Sequence, residues 1–417
     1  MIIDFYQSEH FDSCHPSRAY EWVRLMFVSR MWKATILSFP SLWSKLFMNS
    51  SVPQSKILTV LERSKSHPLQ VVIPPPVWSE EYPKSTRYKY VDLAAELLPR
   101  ISYLAISTCG EYDTPRIYRA FKGRSSNQLQ RLSFVTVPAP RLDKLFVLYA
   151  PHLRSLHLSG VESWPPSMAE NITHIRLNSN LNPEALEGDL KNSPRLKEIR
   201  LDGVYYTNIG IRSKVSLIPG VRLIITGSRD TVAHHFILGS TNYLSITTGA
   251  AIVDFSANPI LKLTLPQDIS CFRNLNDLTV VHLKLIDSGE GPYTHMDRNV
   301  TVILRCSTAD RETLHIEVKY TLSSLWSPRT MEPEIIPERP PAMRALNYLR
   351  PLNLRKVVEL RMEGFVGEWG LQSFELCHFL QHMPALRRIV TGDDNKEIFW
   401  FALSTTRRST SVIVEGV

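Results

Sequence analysis

Several features that mark common protein classes are missing from this chain. Its five cysteines are scattered and form no C-x-x-C pair, which argues against a zinc knuckle and against a disulfide framework. No apolar run approaches the roughly 20 residues that cross a bilayer. The N-terminus, MIIDFYQSEH, lacks the basic and apolar regions of a signal peptide. We therefore expect a soluble protein of the cytoplasm, the nucleus or both, without membrane contact.

Motifs that hold nucleotides or carry catalysis are missing too. The sequence contains no glycine-rich phosphate loop and no G-x-S-x-G turn. His378 and His382 lie four residues apart on an expected helix, but Phe379 stands where a zinc protease has glutamate. Ordinary boundary histidines are the better interpretation of this pair. We expect no enzymatic activity, no catalytic residue, no metal and no cofactor.

The charge balance is mildly basic, with 48 Lys and Arg against 40 Asp and Glu. This excess permits an acidic partner but does not require nucleic acid. The densest basic cluster, around Arg119 to Arg131, contains one aromatic residue, Phe121, so a solvated loop is favoured over a nucleic-acid surface. With 43% hydrophobic residues the chain can bury a sizeable core.

An aromatic-rich stretch, residues 20–47, organises the N-terminal part. Apolar residues recur there at intervals of three or four, which predicts one face of a helix: Trp22, Leu25, Val28, Trp32 and Ile36. Pro40 ends that helix. Ser41 is the expected N-cap of a second short helix, which carries Leu42, Trp43, Leu46 and Phe47. The apolar face either packs on the chain's own core or docks another protein.

From residue 101 onward a short motif recurs, in which an apolar residue is followed by others three and five positions later. The clearest copies are Ile101/Leu104/Ile106, Leu129/Leu132/Phe134, Leu142/Leu145/Val147, Leu153/Leu156/Leu158, Ile172/Ile175/Leu177 and Leu196/Ile199/Leu201. Weaker copies follow, among them Leu261/Leu263/Leu265, Leu314/Ile316/Val318 and Val357/Leu360/Met362. The motif predicts a short strand that buries alternate side chains, and residues 181–190 predict a returning helix.

The fold class we expect is therefore α/β, with parallel strands stacked side by side and helices or loops outside. The central positions Leu156, Ile175 and Ile199 are 19 and 24 residues apart, close to the period of roughly 20 to 29 residues in leucine-rich repeats. We favour a degenerate leucine-rich-repeat solenoid over an ordinary α/β domain. Its boundaries would be 1–64 for the helical segment, 65–100 for a connecting strand and helix, and 101–417 for the repeats, with a proline-rich loop at 324–346.

In each repeat the residue between the last two apolar positions should face outward, onto the concave surface of the sheet. The best-formed consecutive copies place a positive row there: His157, Arg176 and Arg200. Guanidinium groups pair bidentately with carboxylates and phosphates, so we expect this row to bind an acidic or phosphorylated protein segment. The alternative is a merely polar, solvated face.

The N-terminal stretch resembles the second half of an F-box. The residues that carry this resemblance are Val28-Ser29-Arg30-Met31-Trp32-Lys33 and Phe39-Pro40-Ser41-Leu42-Trp43. In that family V-C-x-x-W-R is followed by P-x-L-W, so Ser29 replaces cysteine and Lys33 replaces arginine. The opening L-P-x-E helix of an F-box has no counterpart here.

The resemblance, together with the repeats, implies a substrate-recognition subunit of a cullin–RING (SCF-type) ubiquitin ligase of the kind common in fungi. A Skp-type adaptor would bind the F-box remnant, and a protein substrate would bind the repeats. The implied adaptor face comprises Val28, Trp32, Leu42 and Trp43, with Trp22 and Leu25 beside them. The alternative is a non-catalytic repeat scaffold that has lost adaptor binding, with Trp32 and Trp43 capping the solenoid.

Overall fold

The structure is a computed structural model. It describes residues 21–49, 52–75, 84–109, 113–137, 148–161, 163–178, 182–203, 214–227, 235–239, 241–252, 275, 277–290, 298–322, 352–364, 373–392, 396–405 and 412–416. The chain divides into two compact units, residues 1–196 and 197–417. Both are mixed α/β with mostly parallel strands, which confirms the predicted fold class at this level. No described helix is long and apolar enough to cross a lipid bilayer.

The first unit contains a parallel sheet whose strands neighbour one another in chain order. The strands are β1 (Lys45–Phe47), β2 (Leu69–Ile73), β3 (Ile101–Cys109), β4 (Arg131–Val137), β5 (Ser155–Ser159) and β6 (His174–Asn178). The repeated motif predicted β3 to β6 correctly. Its last two apolar positions form two buried rows in register: Leu104, Leu132, Leu156 and Ile175, then Ile106, Phe134, Leu158 and Leu177. Burial of each contributes about 1.5–3 kcal/mol.

Helices connect these strands, as a parallel sheet requires. Those after β1 are α2 (Gln54–Ser64), α3 (Lys84–Glu96), α4 (Asp113–Phe121), the single turn α5 (Pro166–Ala169) and α6 (Pro183–Lys191). Helix α6 confirms the returning helix predicted over residues 181–190. Asn182 caps it, because its side-chain oxygen accepts a hydrogen bond from the Glu184 N–H at 3.0 Å.

The N-terminal segment differs from the prediction of one helix followed by a second. Residues Glu21–Phe27 form a 3-10 helix, and the helix α1 begins only at Arg30 and ends at Ser38. Ser29 causes the break, since it is extended and its hydroxyl accepts a hydrogen bond from the Trp32 N–H at 3.1 Å. Ser41 caps nothing: Pro40–Trp43 form a 3-10 turn, and Leu46 and Phe47 lie in β1.

The second unit contains a larger sheet. Its strands, in their spatial order, are β7 (Glu198–Asp202), β9 (Arg222–Thr226), β11 (Tyr243–Ile252), β14 (Glu312–Leu322), β13 (Arg298–Ser307), β12 (Val280–Glu290), β15 (Glu359–Glu363), β16 (Arg388–Thr391) and β17 (Ile413–Gly416). A separate pair comprises β8 (Val215–Ser216) and β10 (Phe236–Ile237). Helices α7 (Ser373–Gln381) and α8 (Lys396–Thr405) lie near the end of the chain.

One strand of this sheet runs against the others. Strand β13 pairs antiparallel with both β12 and β14, whereas the other described ladders of this unit are parallel. The sequence did not indicate β13, because its apolar residues do not follow the repeated motif. Leu314 and Ile316, assigned to a weak repeat copy, do lie in a strand, β14. The copies at Leu142–Val147 and Leu261–Leu265 and the proline-rich loop at 324–346 lie outside the described residues.

Two glycines mark equivalent strand ends in the second unit. Gly203 directly follows β7 with φ +58°, and Gly227 directly follows β9 with φ +66°. Both values lie in the left-handed region that glycine adopts without a steric penalty. Each glycine N–H continues the sheet ladder, Gly203 to the Thr226 carbonyl at 2.7 Å and Gly227 to the Thr247 carbonyl at 2.9 Å. These two glycines are 24 residues apart, and a left-handed glycine also follows β15, at Gly364 with φ +79°, and β5 of the first unit, at Gly160 with φ +73°.

Candidate protein-interaction surfaces

An exposed apolar patch lies where the N-terminal 3-10 helix meets α1. Phe27 is 87% exposed, Val28 65% and Met31 72%. Single exposed apolar residues are ordinary, but three large ones within five residues are typical of a docking surface. We call these three residues the N-terminal apolar patch. Phe27 and Met31 lie outside the apolar stripe that the sequence predicts. The available signal was the unbroken apolar run of residues 25–28, which is too long for one helical face.

Basic residues lie close to this patch along the chain. Arg24, Arg30 and Lys33 are all exposed, and the sequence contains no acidic residue between Glu21 and Glu62. A partner that covers the patch therefore needs apolar side chains at the centre of its own surface and carboxylates around them.

Trp43 belongs to the core of the first unit rather than to its surface. It is 3% exposed, and its indole N–H donates to the Ile36 carbonyl at 2.8 Å, which ties the end of α1 to the turn after it. The guanidinium of Arg63 on α2 lies 4.3 Å from the centre of the Trp43 ring, a cation–π distance. Leu42 beside it is 8% exposed.

The residues predicted to contact an adaptor therefore separate into three groups. Val28 is exposed, and Leu25 and Trp32 are half-buried. Leu42 and Trp43 face the chain's own core, so direct contact with a partner would require this core to open; their burial favours a supporting role beneath the patch. The side chain of Trp22 is outside the described residues.

On the first unit's sheet, the outward positions form a polar row in register. Ala105, Ser133, His157 and Arg176 lie side by side on neighbouring strands. The Ser133 hydroxyl and His157 Nδ1 are 3.0 Å apart, and Arg176 is exposed. Strands β1 to β6 contain no Asp or Glu at all. Two predicted site residues, His157 and Arg176, are thus brought together on a face whose strands supply no carboxylate.

Arg200, the third residue of the predicted row, lies in the second unit and has a different environment. Its Nε donates to Asp202 Oδ1 at 3.0 Å, and Asp202 also accepts from the Thr226 hydroxyl. Because Asp202 is two residues further along the same strand, both side chains point to the same face. The positive charge of Arg200 is therefore matched within the chain.

Ion pairs of this kind recur across the second unit's sheet. Arg222 lies 3.9 Å from Glu198 and stacks over the Tyr243 ring, Arg361 pairs with Glu359, and Arg388 pairs with Glu415 at 2.6 Å and with Glu359 at 3.2 Å. Burial alone would raise the pKa of Glu359, but hydrogen bonds and charge from Arg361 and Arg388 outweigh it and hold that pKa below its ordinary value.

Two histidines complete the central row of this sheet. His282 Nε2 lies 3.1 Å from Glu363 Oε1 without the alignment of a hydrogen bond, so the contact is electrostatic. Burial lowers the pKa of His282, and the nearby guanidinium groups lower it further against the opposing effect of Glu363. His315 has Glu312 at 3.6 Å and Glu317 at 3.8 Å. Within the described ranges no group of three His, Cys, Asp or Glu side chains has the arrangement of a metal site.

Comparisons with protein-family models, with curated proteins and with solved structures gave no match to this chain.

Proposed function

We propose that the chain is a substrate-recognition subunit of a cullin–RING ubiquitin ligase, which binds a Skp-type adaptor through its N-terminal segment and a protein substrate through its sheets. The observation that carries the proposal is the N-terminal apolar patch, because two of its three residues belong to the stretch that resembles an F-box. Val28 and Met31 belong to the V-x-x-x-W stretch of that resemblance. Both side chains are exposed, although valine and methionine are usually buried.

Charge at the patch supports the same proposal. Arg24, Arg30 and Lys33 offer hydrogen-bond donors around an apolar centre, and no carboxylate of the segment competes for them. Aromatic residues, methionine and arginine are enriched at protein interfaces, and the borders of interfaces are polar. The expected adaptor surface is therefore an apolar groove bordered by Asp and Glu.

We further propose that the strands belong to a degenerate leucine-rich-repeat array. Strands β3 to β6 follow one another in chain order with equivalent apolar residues in register, which is how stacked repeats bury a core that no single repeat could bury. The glycine turns after β7 and β9 add a second recurring feature. The substrate face would include His157 and Arg176, where an acidic or phosphorylated segment meets no competing carboxylate from β1 to β6.

The alternative is a protein-interaction scaffold that no longer binds an adaptor. Burial of Leu42 and Trp43 favours it, since these side chains of the resemblance serve the fold of the first unit. Trp43 then acts as a cap for the end of the sheet, with α2 packed on it.

Adaptor capture distinguishes the two functions. The purified chain is mixed with a Skp-type adaptor, and the complex is measured by size-exclusion chromatography and calorimetry. Replacement of Met31 by Asp should weaken capture by about tenfold or more, since it buries an unpaired charge in the interface. Trp32→Ala should also weaken capture.

Leu58→Asp is the matched control, because Leu58 is 51% exposed on α2 and lies outside the F-box-like residues. It should leave capture unchanged. If the wild-type chain retains no adaptor, the scaffold is the correct function; if Met31→Asp and Leu58→Asp behave alike, the patch is not the docking surface.

A further inference from the structure

One guanidinium on the second unit's sheet has no carboxylate partner. Arg305 is exposed on β13, and no ion pair or hydrogen bond joins it to another described residue. Other arginines at described outward positions of this sheet, Arg200, Arg222, Arg361 and Arg388, each have a carboxylate within 4 Å. Arg305 is therefore an exception to a regular pattern of pairing.

The position of Arg305 explains why the chain itself does not pair it. Its register neighbours are His315 on β14 and His282 on β12, and Arg361 follows on β15. The residues two positions before and after Arg305 on β13 share its face, and these are Ile303 and Ser307, which carry no charge. The antiparallel insertion of β13 thus places a cation in the middle of the sheet, between two histidines.

A groove of about 420 Å³ opens at this position. Its lining includes the cations Arg305 and Arg361, the polar residues His282 and Ser307, and two carboxylates, Asp310 and Glu312. Asp310 belongs to the β13–β14 turn, where the Thr308 N–H donates to the Arg311 carbonyl at 2.9 Å. This is enough space for one extended side chain. Arg305, Arg361 and the Ser307 hydroxyl supply hydrogen-bond donors to it.

The surroundings of the groove limit what it can hold. Glu312 lies opposite Ser307 on β14, and Glu317 lies opposite Ile303, so carboxylates stand on both sides of Arg305 along the strand direction. On β15, Glu359 and Glu363 likewise lie on either side of Arg361 along the strand. Rows of carboxylates repel a long polyanion such as nucleic acid, and they repel a phosphate dianion more strongly than a single carboxylate.

We propose that this groove binds one carboxylate side chain of a protein partner, which completes the ion-pair pattern of the sheet at Arg305. The partner segment carries lysine or arginine on either side of its acidic residue, because those cations face Glu312, Glu317 and Glu363. The inference rests on the proposed function in that the segment would belong to the ligase substrate, and it adds the chemistry by which that segment is chosen.

Peptide selection tests the proposal on the full chain. A phage-displayed library of random heptapeptides is selected on the wild type, on Arg305→Glu and on Arg222→Glu. Arg222 is the control because it lies on the same face but is already paired with Glu198. The wild type and the control should enrich peptides with an Asp or Glu between basic residues, and Arg305→Glu should lose this enrichment. Thermal melting by circular dichroism should show that Arg305→Glu folds normally, since the side chain is exposed.

Affinity measurements on an enriched peptide sharpen the result. Its Glu→Gln version and the Arg305→Ala variant should each weaken binding by about tenfold or more, the loss expected for one charge-assisted pair. Tighter binding of a phosphoserine version would overturn the carboxylate assignment, and equal enrichment on Arg305→Glu, or no enrichment on the wild type, would overturn the site. The proposed adaptor surface does not include β13, so the two experiments are independent. Adaptor capture can fail while the peptide selection succeeds, and the peptide selection can fail while adaptor capture succeeds.

Discussion

The two sheets present the same pattern of alternating side chains but differ in the acidic residues that their strands carry. In the first unit the outward row contains His157 and Arg176, and strands β1 to β6 have no acidic residue. In the second unit the equivalent positions are covered by ion pairs such as Arg200–Asp202 and Arg361–Glu359. A cation on an outward strand position therefore does not by itself make a binding site. Arg200 and Arg361 are paired with a carboxylate two places away on the same strand, whereas Arg222 and Arg388 are paired with carboxylates on neighbouring strands.

The two sheets differ on their outward faces, and their buried cores should be alike. Substitutions in the two cores test this expectation. Leu156 in β5 and Leu360 in β15 are each 1% exposed or less. Replacing either by Ala should lower the free energy of unfolding by about 2–5 kcal/mol, since both leave a cavity in a close-packed interior. Chemical denaturation with fluorescence detection measures the loss.

Two conservative variants provide the control for this prediction. Leu156→Met and Leu360→Met nearly conserve the side-chain volume, so each should cost less than about 1.5 kcal/mol. A Leu360→Ala variant as stable as the wild type would show that the second sheet is held mainly by its surface ion pairs, and the cores would then differ as the faces do.

Charge reversal on the outward row sharpens the comparison directly. Arg176→Glu should weaken binding of an acidic partner segment by about tenfold, because it replaces a cation of the proposed face by an anion that repels the segment. Arg200→Glu should change that binding less than about twofold, since Asp202 already holds the guanidinium at 3.0 Å. Titration of a labelled acidic peptide by fluorescence anisotropy compares the two variants.

The melting temperature of Arg200→Glu distinguishes an effect on stability from an effect on binding. Arg200→Glu places two carboxylates together at Asp202, so its melting temperature should fall more than that of Arg176→Glu. Equal effects of the two variants on binding would contradict the view that pairing within the chain removes Arg200 from the site.

Much of this contrast could have been predicted from the sequence. The strand letters around Arg200 are EIRLD and those around Arg361 are ELRME, with acidic residues two positions away, whereas those around Arg176 are HIRLN. Since alternate residues of a strand share a face, this spacing predicts the pairs of Arg200 and Arg361. It does not predict the pairs of Arg222 and Arg388, which form across strands. The buried rows at Leu132 and Leu156 and the helix α6 were predicted because they depend on local apolar spacing.

Other features depend on contacts that local spacing does not encode. The antiparallel strand β13 is fixed by its pairing with β12 and β14, and the position of Arg305 follows from that pairing alone. At the N-terminus, the Ser29 hydroxyl accepts a hydrogen bond from the Trp32 N–H, and α1 starts only after it. The apolar spacing of residues 22–36 therefore predicted one long helix where the structure has two shorter ones. The burial of Trp43 results from α2, which follows it in the chain.

The smallest expected effect is a difference in acid sensitivity between the two sheets. The hydrogen bond from Lys284 lowers the pKa of Glu363, against the opposing effect of burial, and the pKa of Glu359 is lowered despite its burial. A carboxyl whose folded-state pKa lies below its unfolded value of 4.5 adds stability that is complete above pH 4.5 and is lost as the pH falls through the folded-state value. The second unit should therefore lose stability in that range, and Glu359→Gln with Glu363→Gln should flatten the loss.

Hydrogen exchange of β4 and β5 amides against β12 and β15 amides, followed from pH 6 to pH 3, resolves the two sheets. If β5 and β15 lose protection in parallel, and the double variant does so too, then ion pairs on the second sheet do not distinguish its stability from that of the first.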